Sequence, residues 1–277
     1  MIKEAKLMYG ALIASIIDGE YKEDSYLNAE TIMTVAVAEA LLRVEELKEE
    51  NKHVLFTCDP VPQWMKEEIN NSICKWSDEF HMDPQTLRSS SGIALVASAG
   101  WLASSVEEAR RMAKLIMRYK QPKTDVQSYF LPLQCQDPNN TPVSAEILAS
   151  IIFFARNNIE NEYIKSYILQ EINCAYPDAY LYDIQKALTC FKGENSFEAI
   201  VKKAAIRETD LRRIHLEMLL ALHNRQILQS DGLEGKTDSI IAIVGSLAEA
   251  YYGIRLRLKL VGKNMIPKDI QSILDKI

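Results

Sequence analysis

The sequence predicts an all-α fold built as one domain over residues 1–277. Apolar residues recur with the 3.6-residue period of a helix along most of the chain, and helix start and stop signals separate the periodic segments. The best alternating run is Arg255–Leu260, where we expect a short edge strand or hairpin, with an anion-contacting basic face as the alternative. No connecting segment is long enough to indicate an interdomain linker.

Composition is that of a soluble globular protein. The 277 residues are 48% hydrophobic and 25% charged, which excludes intrinsic disorder. The formal net charge of −6 provides no electrostatic footprint for nucleic acid or for an anionic membrane. We therefore expect neither nucleic acid nor a membrane as a partner.

Cysteine usage and the first apolar run indicate the compartment. The five cysteines are scattered, odd in number and without a CxxC pair, which is typical of reduced thiols in the cytoplasm. The apolar run Leu7–Ile17 is too short to span a bilayer, so it predicts a buried helix. The sequence therefore predicts a cytoplasmic protein.

The first half of the chain contains clear helix signals. The segment Thr31–Leu47 is apolar nearly all round, which predicts a helix in the middle of the core. Ser105–Glu108 has the spacing of a capping box ahead of a helix at Ala109–Met117. Thr141 and the proline that follows it predict the start of an apolar helix, Val143–Ala155.

The second half contains weaker start signals. Asn195 is expected to open a helix. A further helix, Ile240–Tyr252, is expected to be capped by Asp238 or Ser239 and to end at Gly253.

Common catalytic motifs are missing from the chain. There is no GxGxxG, no GxxxxGK[ST], no HExxH and no GxSxG, and the four histidines are scattered. Local motifs therefore leave the function open.

Four segments taken in order carry a family resemblance. They are Tyr9–Ile13; Leu27–Met33 with Val35–Leu42; Ser91–Trp101; and Gly235–Gly245 with Ala250–Gly253 and Ile266–Pro267. The set resembles the ordered motifs of the ADP-ribosylglycohydrolase family. This resemblance implies a compact single-domain orthogonal helical bundle that removes ADP-ribose from modified side chains with two magnesium ions, held between an early and a late helix.

The early metal motif of that family, Thr-Asp-Asp, is altered here. Asn28 stands at the threonine position and retains an amide oxygen. Ala29 replaces the first aspartate and offers no ligand, whereas Glu30 keeps a carboxylate. In the central block, Ser91 and Gly92 are the residues that the resemblance assigns to ligand binding.

The late motif, Asp-x-Asp-[ST], is altered as well. Lys236 replaces its first aspartate, whereas Asp238 and Ser239 keep an acid and a hydroxyl. Together with Ala29, this exchange leaves two carboxylates and an ammonium where the family has four carboxylates. Because magnesium requires several hard oxygen ligands, we expect no metal cofactor. If an ion binds, it is magnesium on Glu30, Asp238 and Ser239.

The resemblance leaves three functions open. The first is an impaired or inactive homologue that binds an ADP-ribose-like ligand or a protein partner, with Glu30 and Asp238 at the former catalytic positions. The second is an active hydrolase of ADP-ribosylated protein, with one metal or a rearranged site. The third is an unrelated helical interaction protein. The family's acidic loop residue is also missing, and the spacing does not select a replacement among Asp18, Glu20 and Glu23.

Overall fold

A computed structural model describes residues 8–22, 27, 29–50, 63–82, 93–119, 143–159, 163–164, 166–167, 181–191, 193–205 and 234–277. At 18–22 and 234–239 the description covers the helical backbone alone. Helix accounts for 83% of the described residues, and none of them lies in a strand. The all-α prediction is therefore confirmed.

The helices follow one another along the chain with a short 3₁₀ turn, Ile93–Val96, after the third. They are α1 Gly10–Lys22, α2 Ala29–Glu50, α3 Gln63–Glu79, α4 Ala97–Leu102, α5 Val106–Tyr119, α6 Val143–Arg156, α7 Leu181–Cys190, α8 at residues 197–205, α9 Glu234–Tyr252, α10 Leu256–Met265 and α11 Lys268–Leu274.

Helices α1, α2, α6 and α9 supply much of the hydrophobic core. Residues 30–38 of α2 and 240–250 of α9 are buried without exception, as expected for helices that are apolar nearly all round. Helix α9 packs against α1, α2, α6, α7 and the 3₁₀ turn. It is therefore the central element of the described part of the chain.

The contact between α1 and α9 depends on two glycines. A Cβ atom on Gly10 would lie less than 3.0 Å from the backbone of Gly245, and a Cβ on Gly245 would meet the backbone of Gly10. Gly10 also contacts Glu249, whereas Ala14 contacts Gly245. One turn forward along α1 thus corresponds to one turn back along α9, so the two helices are antiparallel.

The start of α5 confirms the predicted capping box with a shift of one residue. Ser105 Oγ accepts the backbone N–H of Glu108 at 3.1 Å, as predicted. The Glu108 carboxylate, however, accepts the N–H and the hydroxyl of Ser104, at 2.8 and 2.5 Å. The cap of α8 is also displaced, because Ser196 Oγ accepts the N–H of Ala199 at 3.4 Å and Asn195 is exposed.

The strand predicted at Arg255–Leu260 is wrong, since these residues begin the helix α10. Leucine alternates with basic residues here, as in a strand, but the tertiary contacts of this segment recur at the spacing of a helix. Gly262 lies against Ile13 of α1, and the amino groups of Lys259 and Lys263 lie over the Tyr9 ring. Lys259 and Lys263 are four residues apart and reach the same ring, which requires the short rise of a helix.

Helix α9 begins earlier than predicted but ends where expected. It starts at Glu234, so Asp238 and Ser239 lie within the helix instead of capping it. Gly253 has a φ of +69° and its N–H donates to Glu249 O at 2.7 Å, which confirms the glycine stop. Thr141 and the proline after it lie outside the described residues. Among the helices that the structure describes, none combines the length and the apolar character needed to cross a membrane.

Candidate functional site

Glu30 is a buried acid at the start of α2. It lies in the first helical turn, and only 1% of its surface is exposed. A carboxylate is favoured at this position because the unpaired N–H groups of a helix N-terminus carry partial positive charge. Burial of a full negative charge nevertheless requires a counter-charge or several hydrogen-bond donors. The free energy of desolvating the charge is larger than the stabilisation that the helix dipole provides.

The residues beside Glu30 differ in the polar atoms that they provide. Ala29, the first residue of α2, is partly exposed and has no ligand atom. Thr34 Oγ1 donates to the backbone carbonyl of Glu30 at 2.7 Å, which holds the first turn closed. Asn28 lies outside the described residues.

The three residues of the late motif lie in the first two turns of α9. Lys236, Asp238 and Ser239 follow the helix start at Glu234 by two, four and five residues. A period of 3.6 residues places 236 and 239 on neighbouring positions of the helix surface, with 238 turned away from 236 by about 200°. The side chains themselves lie outside the described residues.

Helix packing brings the elements of the early and late motifs together. The antiparallel register of α1 and α9 places the last turns of α1 beside the first turns of α9. Residues 23–28 join α1 to α2, and seven residue steps span at most about 25 Å. Helix α2 also packs against α9, and the connection allows its N-terminus, with Glu30, to lie up to about 25 Å from the end of α1.

The central block is adjacent to the same elements. Ser91 and Gly92 lie outside the described residues, directly before the 3₁₀ turn Ile93–Val96. That turn is fully buried and packs against both α2 and α9. The segments that carry the resemblance therefore continue into elements that contact one another.

Glu249 is a site residue that the sequence reasoning missed. It is 2% exposed, and its Oε2 accepts the backbone N–H of Gly10 at 2.5 Å. The carboxylate thus satisfies a free N–H at the N-terminus of α1 and lies at the positive end of that helix. The sequence feature that could have identified Glu249 is a single acid within the apolar segment Ile240–Tyr252.

Glu39 and Glu146 follow the same pattern of one acid within an apolar segment of a helix. The Glu146 carboxylate on α6 forms ion pairs with Arg110 Nε at 3.0 Å and with Lys114 Nζ at 3.2 Å. Both cations belong to α5. Glu39 on α2 accepts Trp76 Nε1 at 2.6 Å and Lys75 Nζ at 3.0 Å. These two acids link helices.

The electrostatic environment of Glu39 is that of a structural carboxylate, whose charge is stabilised by neighbouring donors. Burial raises the pKa of the Glu39 carboxyl, but hydrogen bonds from Trp76, Lys75 and Ser72 together outweigh burial, and the pKa lies below its usual value of 4.5. A groove of about 250 Å³ beside Glu39 has a lining of mixed charge, including Arg43 and Glu46. Three of its lining residues, Arg43, Lys75 and Trp76, are bound to the Glu39 carboxylate.

The donor set does not fit two magnesium ions. Each ion prefers six oxygen ligands in near-octahedral geometry, and the two altered motifs together provide two carboxylates, one amide, one hydroxyl and an ammonium. Among the described side chains, which include Glu30 but not Asp238, no three His, Cys, Asp or Glu residues cluster as metal ligands would.

Comparison with known proteins identifies no relative. No family model matches the chain, no curated protein is similar to it, and no solved structure matches its fold.

Proposed function

We propose that the chain is an ADP-ribosylglycohydrolase-like protein whose catalytic metal site has been replaced by an ion pair. In this proposal the fold is the orthogonal helical bundle of that family. The ammonium of Lys236 occupies the position of a metal ion and pairs with the carboxylate of Glu30. The protein binds an ADP-ribose-like ligand or an ADP-ribosylated protein in the cytoplasm and turns it over poorly or not at all.

The observation that carries the proposal is the burial of Glu30 on a helix that packs against α9. A buried carboxylate requires compensation, and α9 begins with a lysine at position 236 where the resembled motif has an acid. A lysine ammonium is a compact charge with three donors, so it can compensate a carboxylate much as a metal cation does.

Two further observations support the resemblance. The motifs occur in the family's order along nearly the whole chain. The elements that carry them, α1, α2, the 3₁₀ turn and α9, also pack against one another. The hydroxyl of Ser239, the amide of Asn28 and the loop at Ser91 and Gly92 remain available in this proposal as polar groups for a ribose or phosphate.

The direct test is an assay of ADP-ribosyl-arginine and ADP-ribosyl-serine peptides with and without millimolar Mg²⁺. We expect no turnover above the uncatalysed rate in either condition. We also expect ADP-ribose to bind in isothermal titration calorimetry, and the binding to weaken in Asp238→Ala. Asp269→Ala is the matched control, because Asp269 is an exposed acid on α11, and it should bind like the unmodified chain.

An active hydrolase is the second candidate, because Glu30, Asp238 and Ser239 keep three oxygen ligands. One bound cation would supply polarisation of the ribose hydroxyls and orientation of a water. Turnover that requires both Mg²⁺ and Asp238 would establish this candidate and overturn the proposal. Absence of both turnover and ADP-ribose binding would contradict both candidates and leave a helical interaction protein.

A further inference from the structure

Helices α10 and α11, here together called the arm, lie on the outside of the core. Helix α10 has ten residues, and the one that is fully buried is Gly262. The partly buried Leu258 also packs against the core. Isolated helices shorter than about 12–15 residues are marginal in water. The helical form of α10 therefore depends on the few contacts that it makes with the rest of the molecule.

The contacts of α10 with α1 are partly polar. Gly262 lies against Ile13, where a Cβ atom would come within 2.8 Å of that side chain. The amino groups of Lys259 and Lys263 lie 5.4 and 5.7 Å from the centre of the Tyr9 ring. Contacts of a cation with an exposed ring are weak, at about 0.5–1 kcal/mol each. Helix α10 is therefore held less tightly than the helices of the core.

A cluster of three polar groups, here called the latch, joins the arm to α1. The Tyr9 hydroxyl donates to Asp275 Oδ1 at 2.6 Å, and Lys263 Nζ donates to the other oxygen of the same carboxylate. Burial raises the pKa of Tyr9 above its usual value of 10.0, so the hydroxyl remains a donor. Hydrogen bonds from Lys263 and Tyr9 lower the pKa of Asp275, so the carboxylate remains an ionised acceptor.

The two helices of the arm are also joined to each other. Gln271 Nε2 on α11 donates to the carbonyl oxygens of Lys263 and Ile266, each at 2.7 Å. These carbonyls belong to the last turn and the C-cap of α10, which lack partners within that helix. The bonds do not involve α1 or α2, so they persist if the arm leaves the core.

The packing of α11 against the core is incomplete. Three apolar side chains of α11 are buried, those of Ile270, Ile273 and Leu274. The groove of about 250 Å³ beside Glu39 lies between α11 on one side and α2 and α3 on the other. A void along a contact removes dispersion attraction from its lining. The contact of α11 with α2 is therefore weaker than a closely packed helix pair.

The connection between α9 and the arm is short and fixed at one point. It consists of residues 253–255. Gly253 has a φ of +69°, Ile254 is buried, and Arg255 pairs with Glu198 of α8 at 3.6 Å. The connection is thus attached to the core directly before α10 begins.

We propose that the arm is a strap that opens as one unit about residues 253–255, with the latch holding it closed over α1. Opening uncovers Tyr9 and Ile13 and removes one wall of the groove beside Glu39. An element with few buried apolar contacts is expected to open at a lower free energy than global unfolding. This inference is independent of the proposed function.

Native-state hydrogen exchange followed by mass spectrometry is the first test. We expect the amides of α10 and α11 to share one opening free energy, because Gln271 joins the two helices. We expect that value to be lower than the opening free energy of α9, whose residues 240–250 are all buried.

Removal of one hydroxyl tests the latch. Tyr9→Phe keeps the ring but removes the donor to Asp275, so it should accelerate exchange in the arm about threefold to tenfold. Tyr163→Phe is the matched control, since it removes the hydroxyl of a tyrosine that is 56% exposed outside the arm, and it should leave exchange in the arm unchanged. In Asp275→Ala, Tyr9→Phe should have no further effect, because the acceptor is already absent.

A core variant separates opening of the arm from global unfolding. Ile151 is buried on α6, and Ile151→Val should accelerate exchange in the slowest amides of α9 about threefold to tenfold. Exchange in the arm should not change, because the packing of Ile151 is the same whether the arm is open or closed. Circular dichroism verifies that each variant is folded.

Three outcomes would overturn the inference. The first is an arm that Ile151→Val accelerates as much as α9, which would show that the arm opens only in global unfolding. The second is fast exchange in α10 alone, with α11 exchanging at the rate of α9. The third is a Tyr9→Phe variant whose exchange in the arm equals that of Tyr163→Phe.

Discussion

The two ends of the antiparallel pair α1 and α9 differ in how they are held. At one end, Gly10 and Gly245 bring the two backbones into close contact, and Glu249 caps α1. At the other end, α9 begins with the altered motif of Lys236 and Asp238. The first end is specified by steric fit, whereas the second carries charged residues in its sequence.

Under the proposed function, this difference would explain how a site diverges while its scaffold remains. The close end permits no larger residue than glycine, because each Cβ would meet backbone. The apolar packing of α1, α2 and α9 is formed by buried aliphatic side chains along these helices. In the proposal, exchange of a cation for a lysine therefore changes the chemistry of the other end without changing the core.

The largest effect is expected from breaking the proposed ion pair. Lys236→Met should lower the free energy of unfolding by about 3–5 kcal/mol, because it removes the cation that the proposal pairs with the buried carboxylate of Glu30. Urea denaturation measures this loss. Glu30→Gln in the same chain should recover most of it, since the amide carries no charge. Equal losses in the single and double variants would show that the two residues do not interact.

The close end should be nearly as sensitive. Gly245→Ala is expected to lower the free energy of unfolding by about 3 kcal/mol, since the new methyl group meets the Gly10 backbone, which cannot move aside. Ser246→Ala is the control on the neighbouring position. The Ser246 hydroxyl is buried and has no hydrogen-bond partner among the described residues, so its removal should be almost neutral. A neutral Gly245→Ala would contradict the close contact.

Removal of the α1 cap should have a smaller effect. Glu249→Gln keeps an acceptor oxygen for the Gly10 N–H but loses the charge at the helix N-terminus. We expect a loss of about 1–2 kcal/mol in the free energy of unfolding, and a larger loss for Glu249→Ala. If the glutamine variant were the less stable of the two, the capping role would be wrong.

The smallest effect concerns pH. The pKa of Glu39 is lowered in the folded state, so its contribution to stability is present above the unfolded value of about 4.5 and is lost as the pH falls below it. The unfolding free energies of the unmodified chain and Glu39→Gln should therefore converge between about pH 5 and pH 3, by at most about 1 kcal/mol because the carboxyl is partly solvated. A difference independent of pH would contradict this.

The sequence predicted the elements whose signals are local and strong. The apolar helices α2 and α9, the Ser105 cap and the Gly253 stop follow from period and capping chemistry. The helix α10 was predicted as a strand because its inner contacts, through Gly262 with Ile13, join positions distant in sequence.

The site was predictable only in part for a similar physical reason. The burial of Glu30 was not predicted, because the predicted core helix begins one residue later, at Thr31. The role of Glu249 was not predictable, because its partner is the N-terminus of a helix 239 residues earlier in the chain. The assignments of Asp238 and Ser239 remain predictions.

The central claim is that Lys236 takes the place of a metal ion. The most direct measurement is the change in melting temperature with millimolar Mg²⁺, compared between the unmodified chain and Ala29→Asp combined with Lys236→Asp. We predict that Mg²⁺ leaves the unmodified chain unchanged and raises the melting temperature of the double variant, in which four carboxylates are restored. A rise in the unmodified chain that disappears in Asp238→Ala would contradict the claim.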